Sequence, residues 1–229
     1  ASLLVNAVPT QYIRDVWEKL APNVPPAVGI ASVAKGIEQD SLRLPTQIIA
    51  HTLGETSTSA ATNAADHSPA ASDAPNRRPH RPYAALSGPS VAAELAKNLP
   101  ATVVAASEDH QFAQRLQQIF TTHWFRVYTH ADLLGVELAG ATKNVIALAA
   151  GILDGLQAGI NAKSALLARG LSEITRLGIA LGCEYDTFFG VAGVGDLATT
   201  CFSPTGRNRS CGEMLGKGRK LDQVLADIP

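Results

Sequence analysis

At 229 residues, 46% of them hydrophobic, the chain is long enough to bury the core of one large domain or two smaller ones. Its formal charge of −1 rules out attraction to nucleic acid or to an anionic membrane through overall charge. Three cysteines, Cys183, Cys201 and Cys211, form neither an even set nor a metal-type cluster, so the expectation is a reducing, cytoplasmic location with no metal. No apolar run is expected to reach bilayer-spanning length, and the abrupt start at Ala1-Ser2 is expected to lie inside a domain.

In chain order, Leu3 to Val8 is an apolar run suited to a buried strand, and Pro9-Thr10 opens an amphipathic segment from Gln11 to Leu20. Val28 to Val33 predicts a second strand, ending at Ala34-Lys35-Gly36. Further segments follow: a helix from Pro45 to Leu53, a strand from Tyr83 to Leu86, a helix from Pro89 to Asn98, a strand from Thr102 to Ala106, a helix from Asp109 to Phe120 and a strand from Trp124 to Thr129. Strands alternating with helices imply an α/β domain with a parallel sheet, whose ligands lie near the carboxyl ends of the strands. The stretch from Gly54 to Pro82 breaks the pattern. It has no large aliphatic residue, so a disordered insertion is expected there, with Arg77, Arg78, His80 and Arg81 read as a solvated charge run rather than an anion site.

After Thr129 the pattern turns helical. GVELAGATKNVIALAAG, Gly135 to Gly151, has apolar residues at helical spacing and no proline. Small residues crowd Lys143 in its middle, which leaves two readings. Either the lysine is partly desolvated, with a lowered pKa and acid/base capacity beside Asn144, or its stem crosses apolar surface while its head reaches water. A second long helix is expected from an Asn161 N-cap to Gly182, followed by a short turn capped by Asp186. The glycines of GVAGVGDLATTC run in the reverse order of a dinucleotide fingerprint and carry no weight as a nucleotide loop.

Other residues carry chemistry in the same two-sided way. Asp196, Thr199 and Thr200 offer a carboxylate and two hydroxyls in glycine and apolar surroundings, or simply cap a helix. Ser203 to Arg209 places Gly206, Arg207 and Asn208 before a helical pattern, as a small phosphate site or a capped surface helix. Ser87 to Ser90, SGPS, is either an anion-binding turn or a tight turn alone. Lys35 stands where a parallel sheet places ligands.

Taken together, AVPTQ (Ala7 to Gln11), AKGIE (Ala34 to Glu38), SGPS, FRVYT, the Lys143 helix, the Asn161 to Gly182 helix, GVGDL and GRNR resemble NAD(P)-dependent glycerol-3-phosphate dehydrogenases of the bacterial type. The strings occur in family order across nearly the whole chain outside the insertion. The resemblance implies an incomplete Rossmann-type domain over 1–132, followed by an all-helical domain over 133–229 of the 6-phosphogluconate dehydrogenase C-terminal type. It implies that the substrate pair is sn-glycerol 3-phosphate and dihydroxyacetone phosphate, that the cofactor is NAD or NADP, and that a homodimer is a candidate assembly. It further implies Lys143 as proton acceptor, Lys35, Asp196 and Thr200 around the reacting hydroxyl, and Gly206, Arg207 and Asn208 at the phosphate. Gly88, Ser90 and Asn144 would join the substrate site, and Lys35, Ala92 and Arg207 the cofactor site. The family's G-x-G-x-x-G turn and its later helices are expected outside this chain, the 54–82 insertion is longer than usual, and position 206 is often Ser. Two alternatives accompany this reading: a β-hydroxyacid or 6-phosphogluconate type dehydrogenase, and a non-catalytic phosphometabolite-binding remnant.

Overall fold

The computed structural model describes residues 2–55 and 81–227. Five strands form one sheet in the order β1 (Leu3–Asn6), β2 (Gly29–Ser32), β3 (Tyr83–Ser87), β4 (Ala101–Ala106) and β5 (Phe125–His130). The first three run parallel, joined through α1 (Ile13–Leu20) and α2 (Pro45–Thr52). β4 then runs antiparallel to β3, and β5 returns parallel to β4.

The expected parallel order is therefore corrected at one junction. A parallel return needs a crossover of about a dozen residues or more, normally carried by a full helix. The helix expected from Pro89 to Asn98 instead shrinks to a single turn, α3 (Ala92–Leu95), with Gly88 (φ 145°) and Asn98 (φ 55°) bending the chain on either side. The chain turns straight back along β3. α4 (His110–Phe120), capped by Asp109 on the Phe112 N–H, then makes a true crossover to β5. As a result the carboxyl ends of β1 to β3 share one edge of the sheet with the amino ends of β4 and β5.

Alternation along the strands sends side chains to both faces. Ala84, Leu86, Val103 and Ala105 meet Phe112 and Leu116 of α4 on one side, while Ala85, Val104 and Ala106 meet Leu133 and Val136 on the other. Ile13, Trp17, Ile30, Ile48 and Ile49 fasten α1 and α2 to the sheet. Each such fully buried aliphatic side chain stabilises the fold by roughly 1.5–3 kcal/mol.

Leu133 and Val136 belong to α5 (Leu133–Gly155), the long helix that bears Lys143. Asp132 caps it on the Gly135 N–H at 2.8 Å, and the same carboxylate accepts from the Glu184 N–H and the Thr187 hydroxyl at the start of α7 (Tyr185–Phe189). Asp132 thus ties the start of α7 to α5, and Asp186, expected as a cap, sits inside α7 instead. Asn161 is likewise not a cap, because α6 (Gly159–Ala180) begins two positions earlier. It stops as expected at Gly182, whose left-handed backbone (φ 89°) suits glycine. A π-helical turn (Val191–Gly195), α8 (Asp196–Phe202), α9 (Arg207–Gly216) and α10 (Leu221–Asp227) complete the described helices.

Contrary to the expectation that no run is long enough, α5 has the length and apolar composition to cross a bilayer. More than half of that stretch (56%) is buried within the protein, against the sheet on one side and the other helices on the next, so packing accounts for its apolarity. The interior of the 54–82 stretch, with Arg77, Arg78 and His80, lies outside the described residues. Its far end overturns the solvated reading for Arg81, which is 6% exposed, pairs with Glu55 at 3.0 Å and donates to the carbonyls of Pro25 and Val28. Tyr83 donates to the other Glu55 oxygen at 2.6 Å. The buried guanidinium has its donors engaged by the Glu55 carboxylate and by two carbonyls at the entry to β2, which offsets its loss of water.

Candidate active site

Lys143 is 7% exposed, which excludes the reading in which its head reaches water. Its Nζ donates to Asp196 Oδ1 at 2.6 Å and to Thr200 Oγ1 at 2.7 Å. Asp196 opens α8 but makes no capping bond, so the helix-cap alternative fails for it. Its other oxygen, Oδ2, accepts from Lys35 Nζ at 2.6 Å. One buried carboxylate therefore joins two lysines, one from the loop after β2 and one from the helical half. Thr200 donates its own proton to the Asp196 carbonyl at 2.7 Å and is left as an acceptor for Lys143. Thr199 bonds back to Gly195 and takes no part.

The loop after β3 completes the cluster. Lys35 Nζ also donates to the Gly88 carbonyl at 3.0 Å, and Ser90 Oγ to the same carbonyl at 3.1 Å. Gly88 must be glycine, since its φ is 145° and a Cβ would fall 2.9 Å from the Val103 Cα. Gly140 on α5, one of the small residues around Lys143, leaves room for its neighbours. A Cβ there would stand 3.0 Å from Ser87 Oγ and 3.4 Å from Lys35 Cγ, in the space the lysine stem uses. The hydroxyls of Ser87 and Thr10 are buried without a hydrogen-bond partner among the described residues, and both border the Lys35-Gly36 segment.

Electrostatics follow from burial. Loss of water pushes the Lys143 ammonium down to a pKa of about 8, the like charge of Lys35 adds to the fall, and Asp196 opposes it. A lysine with that value is divided between ammonium and amine near neutral to mildly alkaline pH, as acid/base work requires.

The Ser203 to Arg209 segment follows α8 and passes beside the Thr200 backbone. A Cβ built on Gly206 would lie 3.4 Å from the Thr200 carbonyl, an ordinary contact, and φ is −69°, so a serine fits there without strain. Arg207 and Asn208 follow as the first residues of α9, the arginine exposed and the asparagine half-buried, beside N–H groups that the helix itself leaves free. Asn144 is half-buried next to Lys143, and Ala92 is exposed at the start of α3. The structure thus joins Lys143, Asp196, Thr200, Lys35, Gly88 and Ser90 through hydrogen bonds, with Gly206 beside the Thr200 backbone. Arg207, Asn208, Asn144 and Ala92 make no side-chain bond to the cluster among the described residues.

What holds α9 against α5 was not anticipated. Gly151 and Gly155 face Gly212 and Gly216 so closely that a Cβ on Gly151 would meet the Arg209 carbonyl at 1.9 Å, and one on Gly212 the Leu148 carbonyl at 2.0 Å. The four-residue glycine spacing in both helices was the available signal, because residues four apart share a helix face. Asp154 of α5 adds pairs to Lys163 of α6 and Arg209 of α9, each at 2.7 Å. Gly212→Ala should force the helices apart and cost roughly 1–3 kcal/mol, as overpacking typically does. Urea unfolding of the variant checks this, and a midpoint equal to wild type would mean the contact relaxes freely.

Residues 132–229 match the family model described as the NAD-dependent glycerol-3-phosphate dehydrogenase C-terminus. Residues 1–71 and 70–113 match that of the N-terminus. The chain is 43% identical over 227 residues to glycerol-3-phosphate dehydrogenase [NAD(P)+] of Geobacter sp. (strain M21), covering 99% of this chain and 61% of that protein. It is 45% identical to the enzyme of the same name from Lysinibacillus sphaericus (strain C3-41), covering 98% and 60%. The crystal structure of glycerol-3-phosphate dehydrogenase from Coxiella burnetii superposes with a TM-score of 0.85 at 35% identity, covering 100% of this chain and 62% of that one. The chain therefore spans about three fifths of the length of the relatives it matches. With both family models aligned in order over a shared fold, it belongs to the NAD-dependent glycerol-3-phosphate dehydrogenase family.

Proposed function

We propose that the chain serves an oxidoreductase that interconverts sn-glycerol 3-phosphate and dihydroxyacetone phosphate with NAD or NADP, supplying backbones for glycerophospholipids. The observation that carries this reading is the buried Lys143–Asp196–Lys35 cluster, with the Lys143 pKa near 8. The names of the relatives favour this substrate pair over the β-hydroxyacid and 6-phosphogluconate alternatives. Residues 1–132 would form the dinucleotide-binding domain and 133–229 the substrate domain. Free cysteines, two of them buried, accord with a cytoplasmic setting.

Within this reading each residue has a task. Lys143 takes the proton of the substrate hydroxyl in oxidation and returns it in reduction. Asp196 orients the Lys143 ammonium and, with Thr200, fixes its direction. Lys35 stabilises negative charge developing on the reacting oxygen. Gly206, Arg207 and Asn208, at the α9 N-terminus, hold the phosphate, which keeps the reacting carbon in line. Gly88, Ser90 and Asn144 border the substrate. Lys35, Ala92 and Arg207 would contact the nicotinamide cofactor, which when bound accepts or supplies the hydride. The unpartnered buried hydroxyls of Ser87 and Thr10 beside Lys35 fit a site that has polar groups to spare for a ligand.

The substrate assignment is tested at Arg207. Arg207→Ala should lower kcat/KM for glycerol 3-phosphate by about 2–4 kcal/mol, the scale of a lost charge-assisted pair, and change turnover of unphosphorylated glycerol far less. Equal losses on both substrates would remove Arg207 from the phosphate site.

A further inference from the structure

Glu137 lies on α5 upstream of Lys143, outside the lysine–aspartate cluster, and is 5% exposed. Its two oxygens accept from the backbone N–H of Thr46 at 2.9 Å and from the Thr46 hydroxyl at 2.5 Å, 91 residues away in sequence. Thr46 is the second residue of α2, in the sheet-bearing half. The first turn of a helix has N–H groups without an acceptor of their own. Here the preceding residue, Leu44, has no polar side chain, Pro45 has no N–H to satisfy, and the Gln47 side chain folds back onto the Leu44 N–H at 3.0 Å. The missing acceptor is supplied from the other half of the molecule.

That arrangement is expensive by itself. Burying a carboxyl group with no cation against it among the described residues costs more than placing a serine or aspartate at position 44 would, although the helix dipole and two hydrogen bonds recover part of the cost. Helix capping alone does not call for it. What it accomplishes is a tie between two particular elements. Lys35 stands in the loop that runs from β2 into α2, Lys143 stands on α5, and both must reach the single carboxylate of Asp196. We propose that Glu137 is a positioning residue, a clasp between α5 and α2 that sets the spacing at which Lys143 and Lys35 meet on Asp196.

The inference rests on the dehydrogenase reading only for its rate measurement, so the test has two arms. The first follows competitive labelling of the Lys143 amine against pH, which needs no turnover. The second measures kcat and KM for reduction of dihydroxyacetone phosphate. Glu137→Ala should move the Lys143 labelling midpoint by about half a pH unit or more and lower kcat by about tenfold or more, with KM changed less than about threefold, since small misplacements of catalytic groups act on that scale. Glu137→Gln keeps an oxygen for the Thr46 N–H and should restore most of both. Thr46→Val removes one of the two bonds and should shift both in the same direction by less, which decides the matter should Glu137→Ala fail to fold. A folded variant that is merely less stable to heat, with the labelling midpoint and kcat of wild type, would overturn the clasp and leave a structural cap. A midpoint that moves in a complete protein, nucleotide turn included, that has no turnover even as wild type would uphold the clasp and refute the dehydrogenase reading.

Discussion

In a complete enzyme of the proposed function, replacing Lys143 by alanine should lower kcat by roughly a hundredfold or more while cofactor affinity stays nearly intact, since positioned acid/base groups contribute on that scale. Among the described residues Nζ is the one side-chain group bonded both to the Asp196 carboxylate and to the hydroxyl of Thr200. The helix should tolerate the change, because alanine is the best helix former and its neighbours on α5 are already small. Lys143→Arg is expected to be as poor as alanine, since a guanidinium keeps its proton throughout the working range. Steady-state kinetics with glycerol 3-phosphate, beside a titration with NADH, check both halves of the expectation. A variant retaining more than about a tenth of kcat would take Lys143 out of the role.

Asp196→Ala should act on folding as well as on rate. The carboxylate is 2% exposed and compensates two ammonium groups at once, so its loss leaves Lys143 and Lys35 facing each other unpaired in a site with little water. Breaking a buried pair from one side typically costs about 3–5 kcal/mol. The cost depends on pH with a definite sign. Lys143 has a folded pKa of about 8, below its ordinary 10.5, so the unfolded chain binds more protons between those values and stability rises with pH across that window. Asp196 is the group that opposes the depression, and removing it lowers the folded pKa further, so the window opens at lower pH in the variant. Urea unfolding of both proteins at mildly acidic and at alkaline pH should show the deficit largest in acid and smaller in alkali. A deficit independent of pH would mean that Asp196 is not the lysines' counter-charge.

The alternation of short apolar runs with amphipathic segments made the sheet and its helices legible, because periods of 2 and 3.6 are local properties. Small residues around Lys143 raised burial as one of two readings, and the packing of α5 against distant elements decides between them. The antiparallel turn from β3 to β4 was not legible, since it depends on how little helix fits between Gly88 and Asn98, and propensity alone favours more. From local pattern alone Asp196 stayed open between a cap and a site residue, and only the resemblance set it at the reacting hydroxyl. Its partners lie 53 and 161 residues away, and a carboxylate at the start of a helix looks locally like a cap. Glu137 with Thr46, and Arg81 with Glu55, were missed on the same ground: each is a charge whose burial is decided by a distant element. The glycines of α5 and α9 were visible as spacing but acquire meaning only when the two helices are placed face to face.

The most direct measurement, on a complete enzyme of the proposed function, is the pH dependence of the hydride-transfer rate in both directions, followed by stopped-flow absorbance of the nicotinamide. Oxidation of glycerol 3-phosphate needs Lys143 as the amine and reduction of dihydroxyacetone phosphate needs it as the ammonium. A Lys143 pKa of about 8 therefore predicts that the oxidation rate rises and the reduction rate falls as pH passes through that value. Rates in both directions that stay flat from about pH 6 to about pH 10, a range in which an ordinary lysine remains largely protonated, would contradict Lys143 as the proton acceptor.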